Sequence, residues 1–309
     1  MTQFYWNSYK RLEKEFILLT EVIHINDDQL DVYSTRIGDL LVRTAIECES
    51  LVKDLYHSNG GTKPSGKDLY FDTDCFALLV TMWKIDKKQV FVTSPYVYFE
   101  KEENKVLTPL HKAHKRGTSS SNWQKAYQAV KHDRVNNLKS GNIGNLLLAL
   151  AALYILNIYY RNTDYPTVVD REGSNINWSL GSELFSVKVS FESNGSSLRS
   201  IYEKKPDYDE SIYFIKHTDK TGQAVIDVFA QIDKQVSEQA FNASKQSIEA
   251  QIKSGKLDTT AESFTQEMEK IIDEQRKKAF QRVVNHRGRE LSQALQALQF
   301  EALLNKQQY

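Results

Sequence analysis

The chain has 309 residues, with 40 Lys and Arg side chains against 40 Asp and Glu, and only two cysteines. The zero net charge excludes a surface coated with basic charge for indiscriminate nucleic-acid binding, although a local basic patch stays open. Two cysteines cannot build a disulfide framework or a cysteine-rich zinc site, so we expect a reduced, cytoplasmic protein.

The first part of the chain, residues 1–57, predicts two long helices separated by a polar break at residues 26–28. In the second helix, Glu47 falls in the same apolar stripe as Leu40 and Leu51. Because burying an unpaired carboxylate is costly, we expect Glu47 to have a cationic partner elsewhere in the chain.

Further helices follow, interrupted by a small extended insertion. The pattern predicts a helix over residues 73–86, an extended hairpin within residues 89–107, a helix from Trp123 to His132 and an apolar helix over about 145–160. The most apolar run, residues 146–156, is about half as long as a membrane span of roughly 20 residues. We therefore predict a buried core helix and no membrane segment.

The character of the sequence changes after Arg161. Residues 183–191 read ELFSVKVSF, and apolar and polar side chains alternate strictly from Phe185 to Phe191, which predicts one half-buried strand. Residues 211–215 predict a second strand. From residue 222 onward, a helical apolar stripe predicts two long helices, the last of which continues through Ala302.

These patterns together predict a mainly α fold in three segments. They are a helical bundle over residues 1–162, a mixed extended segment with strands over 163–220, and an antiparallel helical hairpin or coiled coil over 221–309. The hairpin can also coil with the same pair of helices from a second chain.

The bundle segment carries motifs in a recognisable order. A helix with VYSTRIGDLLVRTAIECESLVKDLY (32–56) is followed by a loop, then by W-x-x-x-Y-x-x-V-K-H-x-R (123–134), and then by GNLLLALAALYILNIYYR (144–161). This order resembles the HEPN superfamily of prokaryotic all-helical domains, in the versions found in phage-defence and mobile-element contexts. The resemblance covers about residues 1–162.

The resemblance implies a helical bundle that often dimerises and, in many members, cleaves RNA without a metal ion. In those members four to six residues separate an arginine from a following histidine, and His132 matches the histidine position. The corresponding slots hold Lys125, Ala126 and Tyr127 here. Dimerisation, as the resemblance implies it, brings two such helices together into one composite cleft.

The resemblance implies that His132 acts as the acid or base, and three neighbouring candidates follow if the chain cleaves RNA. Lys131 and Arg134 would stabilise the phosphate, and Glu47 would fix one of these cations. An imidazole titrates near neutral pH, which suits proton transfer. The alternative is structural: His132 hydrogen-bonds to Glu47 or to a tyrosine, and Lys131 or Arg134 pairs with Glu47 or with Glu49.

Other cations are candidates for contacts with RNA or another anion. Arg43 stands four residues before Glu47, so it either pairs with Glu47 along the helix or turns toward a ligand. Lys112, Lys115 and Arg116 belong to a basic, serine-rich loop that either binds a polyanion or is a solvated charge run.

The last predicted helix has a basic stripe, formed by Lys278, Arg282, His286 and Arg289. It is either the outer face of a coiled pair of helices or a ridge that faces nucleic acid.

Two functions follow, from different classes. The first is a HEPN-like ribonuclease of phage-defence or toxin type. The second is a catalytically silent HEPN-like module that binds a protein or nucleic acid, with residues 222–309 as the working surface; a regulatory or antitoxin-like subunit also stays open. We expect no metal and no cofactor, since the chain contains no P-loop, G-x-S-x-G or HExxH motif.

Overall fold

The computed structural model describes residues 3–63, 66, 68–111, 122–191, 204–260 and 262–308. Over these residues the chain is mainly α-helical with short strands, which confirms the predicted fold class. The helices are α1 (Phe4–Leu19), α2 (Thr35–Ser58), α3 (Ala77–Trp83), α4 (Glu102–Lys105), α5 (Asn122–His132), α6 (Arg134–Asn137), α7 (Ile143–Arg161), α8 (Asp219–Lys253) and α9 (Phe264–Gln296). The strands are β1 (Ile25–Asn26), β2 (Val90–Val92), β3 (Val97–Tyr98), β4 (Val106–Leu107), β5 (Tyr165–Val168), β6 (Phe185–Val187), β7 (Val189–Phe191), β8 (Tyr213–His217) and β9 (Phe300–Leu304).

The chain divides into two compact units. The described residues of unit 1 lie within 3–191, 204–216 and 301–308, and those of unit 2 lie within 217–300. Each unit is organised around its own pair or group of packed helices.

The core of unit 1 is α7. Fourteen of its 19 residues are buried, so it is hidden on nearly all sides, and it packs against α1, α2 and α5. By length and composition alone α7 would also qualify as a membrane span, but 78% of its most apolar window is buried inside the protein. The helix begins where the Asn142 side chain accepts a hydrogen bond from the Asn145 N–H at 2.9 Å.

The extended insertion within residues 89–107 is present and pairs more widely than a simple hairpin. Strand β2 pairs antiparallel with β4 on one side and with β6 on the other. Strand β3 pairs instead with β1, in parallel. The insertion is therefore joined to two other parts of unit 1.

The prediction of one continuous strand over residues 183–191 is wrong, because the structure has two strands there. The segment splits at Lys188 into β6, which pairs with β2, and β7, which pairs in parallel with β8. The Lys188 N–H donates to the Gln89 carbonyl at 3.3 Å, while its carbonyl accepts from the Ile212 N–H at 2.8 Å. Because the backbone changes partner here, the buried face changes too, and Ser190 is buried.

The final helix was predicted to continue through Ala302, and this is also wrong. Helix α9 ends at Gln296, and β9 lies between β5 and β8 in the four-stranded sheet. Ala302 and Leu304 are buried while Glu301 and Leu303 are half-buried, which is the period of a strand.

Unit 2 is a helical hairpin, as predicted. Its helices α8 and α9 have 35 and 33 residues and pack against each other along a narrow core. That core consists of Ile232, Val236, Ala240, Ala279 and Val283.

Candidate functional site

The candidate site begins where α5 ends at His132. Asp133 leaves the helical conformation and caps α6, since its side chain accepts from the Asn136 backbone N–H at 3.4 Å and from the Asn136 side-chain amide at 2.8 Å. The chain therefore bends directly after His132. Asp133 is occupied by Asn136 and does not pair with Arg134.

The His132 side chain is exposed at this bend. Within the described residues, no side chain hydrogen-bonds to its ring, so neither Glu47 nor a tyrosine holds it. The expected alternative of a structural, hydrogen-bonded histidine is therefore not what the structure contains. An exposed imidazole at a helix end is open to a ligand.

Lys131 precedes His132 and is exposed as well. Its Nζ lies 5.2 Å from the centroid of the Tyr127 ring. The neighbouring Tyr127 raises the pKa of Lys131 above its ordinary value. The cation is thus held beside His132 without an acidic partner within ion-pair distance among the described residues.

Arg134 follows the bend and forms an ion pair with α2. Its Nη1 lies 2.6 Å from Oδ1 of Asp39, and both side chains are nearly half exposed. Surface pairs of this kind contribute only about 0–1 kcal/mol. The guanidinium is therefore held weakly and can exchange Asp39 for another anion.

Glu47 does not have the role predicted for it. Its carboxyl group lies near Ser8 of α1, and partial burial raises the pKa of this group. No described cation forms an ion pair with Glu47. The α5 cation Lys131 is close to Glu49 instead, and residues two positions apart on a helix point about 200° away from each other. Glu47 therefore points toward α1 and away from α5.

Arg43 is not the intrahelical partner of Glu47 either. Its guanidinium binds both carboxylate oxygens of Glu15 on α1, with Nη1 at 2.7 Å from Oε1. This pairing holds the pKa of Glu15 below its usual range. Arg43 thus joins α1 to α2, away from the end of α5.

The predicted anion-binding residues Lys112, Lys115 and Arg116 lie outside the described residues. The described chain resumes at Asn122, the first residue of α5.

A cavity of about 530 Å³ lies on the same side of α5 as His132. Lys125 and Ala129 line it from α5, and Asn142 and Asn145 line it from the start of α7. Lys125 and His132 are seven residues apart, so they point within about 20° of each other along roughly 10 Å of helix. The sequence identifies Lys125 only as the residue in an arginine slot. The local signal closest to the cavity is Asn142, the N-cap of α7.

A second charged surface lies on α9. The predicted basic stripe, Lys278, Arg282, His286 and Arg289, is exposed along its whole length. Lys278 pairs with Glu274 on the same helix at 2.6 Å.

Among the described residues, no three His, Cys, Asp or Glu side chains come together as a group that could hold a metal ion.

Comparison with protein-family models, with curated proteins and with solved structures finds no match to this chain.

Proposed function

We propose that this chain is a HEPN-like, metal-independent endoribonuclease that acts on RNA in the cytoplasm, in phage defence or as a toxin. The observation that carries the proposal is the exposed His132 at the bend after α5, with one cation on each side of it in the chain. A structural histidine would be expected to have a hydrogen-bond partner, and His132 has none among the described residues.

In this proposal the chemistry is transfer of the phosphoryl group within the RNA chain. His132 accepts the proton of a ribose 2′-hydroxyl, whose oxygen attacks the neighbouring phosphorus. The bond to the 5′-oxygen breaks, and that oxygen takes up a proton, which leaves a 2′,3′-cyclic phosphate and a 5′-hydroxyl. A second copy of the chain would supply a second His132 for this protonation, in a composite cleft.

Lys131 and Arg134 would neutralise the phosphate during this step. Lys131 is a point charge, whereas the planar guanidinium of Arg134 can bind two phosphate oxygens at once. Arg134 must leave Asp39 to do so, which costs little because the pair is exposed. Glu47 and Arg43 have no part in the proposed chemistry, since both are engaged with α1.

The second candidate is a catalytically silent module that binds a partner. The observation in its favour is that Arg134 is paired with Asp39 and that no arginine stands four to six residues before His132. Under this reading the α5 end binds RNA without cutting it, or the hairpin of unit 2 binds another protein.

The deciding experiment incubates the full chain with total tRNA and a mixed RNA pool in the presence of EDTA. Wild type is compared with His132→Ala and with His57→Ala, a matched change at another exposed histidine of unit 1. We expect wild type and His57→Ala to leave cyclic-phosphate ends, and His132→Ala to leave the RNA intact.

Equal cleavage by wild type and His132→Ala would rule out His132 as the acid or base. RNA that stays intact with all three proteins, while wild type still binds it, would favour the silent module.

A further inference from the structure

The hairpin of unit 2 has an apolar side that no described residue covers. Phe241 of α8 is 70% exposed, and Phe280 and Ile272 of α9 are 56% and 43% exposed. A contiguous patch of exposed large apolar side chains commonly marks an interaction surface, whereas single exposed apolar side chains are normal. The narrow hairpin core cannot bury them, because it lies only between the two helices.

These side chains line two adjoining grooves. The first, of about 630 Å³, includes Phe280 and Val236, and the second, of about 540 Å³, includes Phe241 and Ala240. Ser237 and Arg276 line both. Each groove thus has one exposed phenylalanine, and the two grooves meet at a common centre.

The apolar side is distinct from the basic stripe of α9. Phe280 and Arg282 are two positions apart, so they point about 200° away from each other on the helix. A partner that covers the grooves therefore leaves the basic stripe exposed.

The charges around the grooves permit association with a second copy. Three acidic side chains line the grooves, together with three basic ones: Asp233, Asp273 and Glu249, and Lys245, Arg276 and Lys277. A polyanion needs an excess of positive charge, which this side lacks. Because the two signs are equal in number, two copies that meet through this side do not repel each other by net charge.

The size of the surface is also sufficient. Helices of 35 and 33 residues are roughly 50 Å long. Two of them side by side, each about 10 Å across, present on the order of 1,000 Å², whereas a stable interface buries about 800 Å² on each partner.

We propose that two copies of this chain associate through the grooved sides of α8 and α9 and form a four-helix bundle. The two-fold axis passes close to Ser237 and Arg276. The groove at Phe280 of one copy therefore faces the groove at Phe241 of the other. Phe241 of one copy then covers the groove at Phe280 of its partner, and the reverse contact is made as well. This association does not depend on the ribonuclease proposal, since it uses no residue of the α5 end.

The test measures the mass of the full chain by sedimentation equilibrium between about 1 and 100 µM, where association by mass action becomes visible. The double variant Phe241→Glu/Phe280→Glu is expected to halve the mass of the wild-type species. Phe4→Glu, which changes a phenylalanine that is 65% exposed in unit 1, is the matched control and should keep the wild-type mass. If the chains also associate through the α5 ends, both interfaces can hold the same pair of chains, and the covalent capture at position 237 then decides between them.

Circular dichroism at the helix band checks that the double variant is folded, and Phe241→Ala/Phe280→Ala replaces it if helicity is lost. A second readout uses Ser237→Cys, because the natural Cys48 and Cys75 are both buried. Mild oxidation should give a reducible covalent dimer with Ser237→Cys and none with Lys278→Cys on the basic stripe. A wild type that is monomeric throughout, or a Ser237→Cys variant that gives no reducible covalent dimer, would overturn the proposal.

Discussion

Arg134 Nη1 lies 2.6 Å from Asp39 Oδ1, and this ion pair joins the turn after α5 to the first turns of α2. The guanidinium proposed to bind phosphate is therefore already bound to a carboxylate in the free protein. In the proposed ribonuclease, RNA and Asp39 compete for the same cation, so the pair sets how readily the site accepts an anion.

We predict that Asp39→Asn binds RNA about two- to fivefold more tightly, because it removes a competing negative charge next to the site. The midpoint of thermal unfolding should change by less than about 3 °C, since exposed pairs contribute little. Fluorescence anisotropy with a labelled RNA at fixed salt measures the binding. The control is Glu15→Gln, which breaks the exposed pair with Arg43 instead and should leave RNA binding unchanged. Weaker binding by Asp39→Asn would mean that Asp39 positions Arg134 and does not compete for it.

Glu13 of α1 has a buried carboxylate that accepts several hydrogen bonds, among them two from the backbone just before β6. Its Oε1 accepts from the hydroxyl groups of Tyr9 at 2.8 Å and Ser182 at 2.5 Å, and from the backbone N–H groups of Glu183 at 2.8 Å and Leu184 at 3.2 Å. We predict that Glu13→Gln lowers the free energy of unfolding by about 3 kcal/mol, because the amide has a weaker acceptor and adds donors where only donors surround it.

Urea unfolding followed by tryptophan fluorescence measures the loss. Glu15→Gln, the same change two residues along α1, should cost no more than about 1 kcal/mol, because Glu15 and Arg43 are exposed. Equal losses in the two variants would show that the contacts of Glu13 carry no special stability.

Gly38 of α2 and Gly141 before α7 let two backbones come close together. A Cβ at position 141 would lie 2.7 Å from the Gly38 Cα, which the backbone cannot tolerate without moving. We predict that Gly141→Ala destabilises the protein by about 1–3 kcal/mol. At Gly144 a Cβ meets only ordinary contacts of 3.4 Å or more, so Gly144→Ala should be neutral or slightly stabilising. Differential scanning calorimetry of the two variants tests this; a stable Gly141→Ala would mean that the two backbones separate freely.

Lys88 gives the protein a stability that depends on pH in the alkaline range. It is buried, it donates from Nζ to the Asp209 carbonyl at 3.0 Å, and burial lowers its pKa to about 7. Between pH 7 and about 10 the unfolded chain holds the Lys88 proton while the folded protein has released it. The free energy of unfolding therefore rises with pH in this window, by up to about 1.4 kcal/mol per pH unit from this group.

We predict that Lys88→Met removes this slope, whereas Lys87→Met, at an exposed neighbour, retains it. Urea unfolding at several values between pH 7 and about 9.5 gives the comparison. Parallel curves for wild type and Lys88→Met would show that Lys88 keeps its proton in the folded protein.

Several features of the fold were predictable from local pattern alone. The helices, the buried α7 and the long hairpin follow from apolar periodicity over many residues, which averages out local exceptions. The end of α5 at His132 also agrees with the predicted helix from Trp123 to His132. Such features depend on residues that are close in the chain, so the amino-acid sequence determines them directly.

The rest was decided by contacts between distant residues. Lys188 divides a perfectly alternating segment because its backbone bonds to Gln89 on one side and Ile212 on the other, and alternation cannot show which sheet a residue joins. Phe300–Leu304 is a strand because its backbone pairs with β5 on one side and with β8 on the other.

The partners of the charged residues were decided in the same way. Helical spacing shows that Arg43 and Glu47 can meet, but packing of α1 against α2 supplies Glu15 and Ser8 in their place. Asp39 likewise becomes the partner of Arg134 only when α5 packs on α2. Local sequence thus determined which segments are helical and which faces are apolar, while the tertiary structure alone decided which charges are paired and that His132 is exposed. The physical reason is that an ion pair depends on the side chains that packing brings within a few ångströms, and those come from helices far apart in the chain.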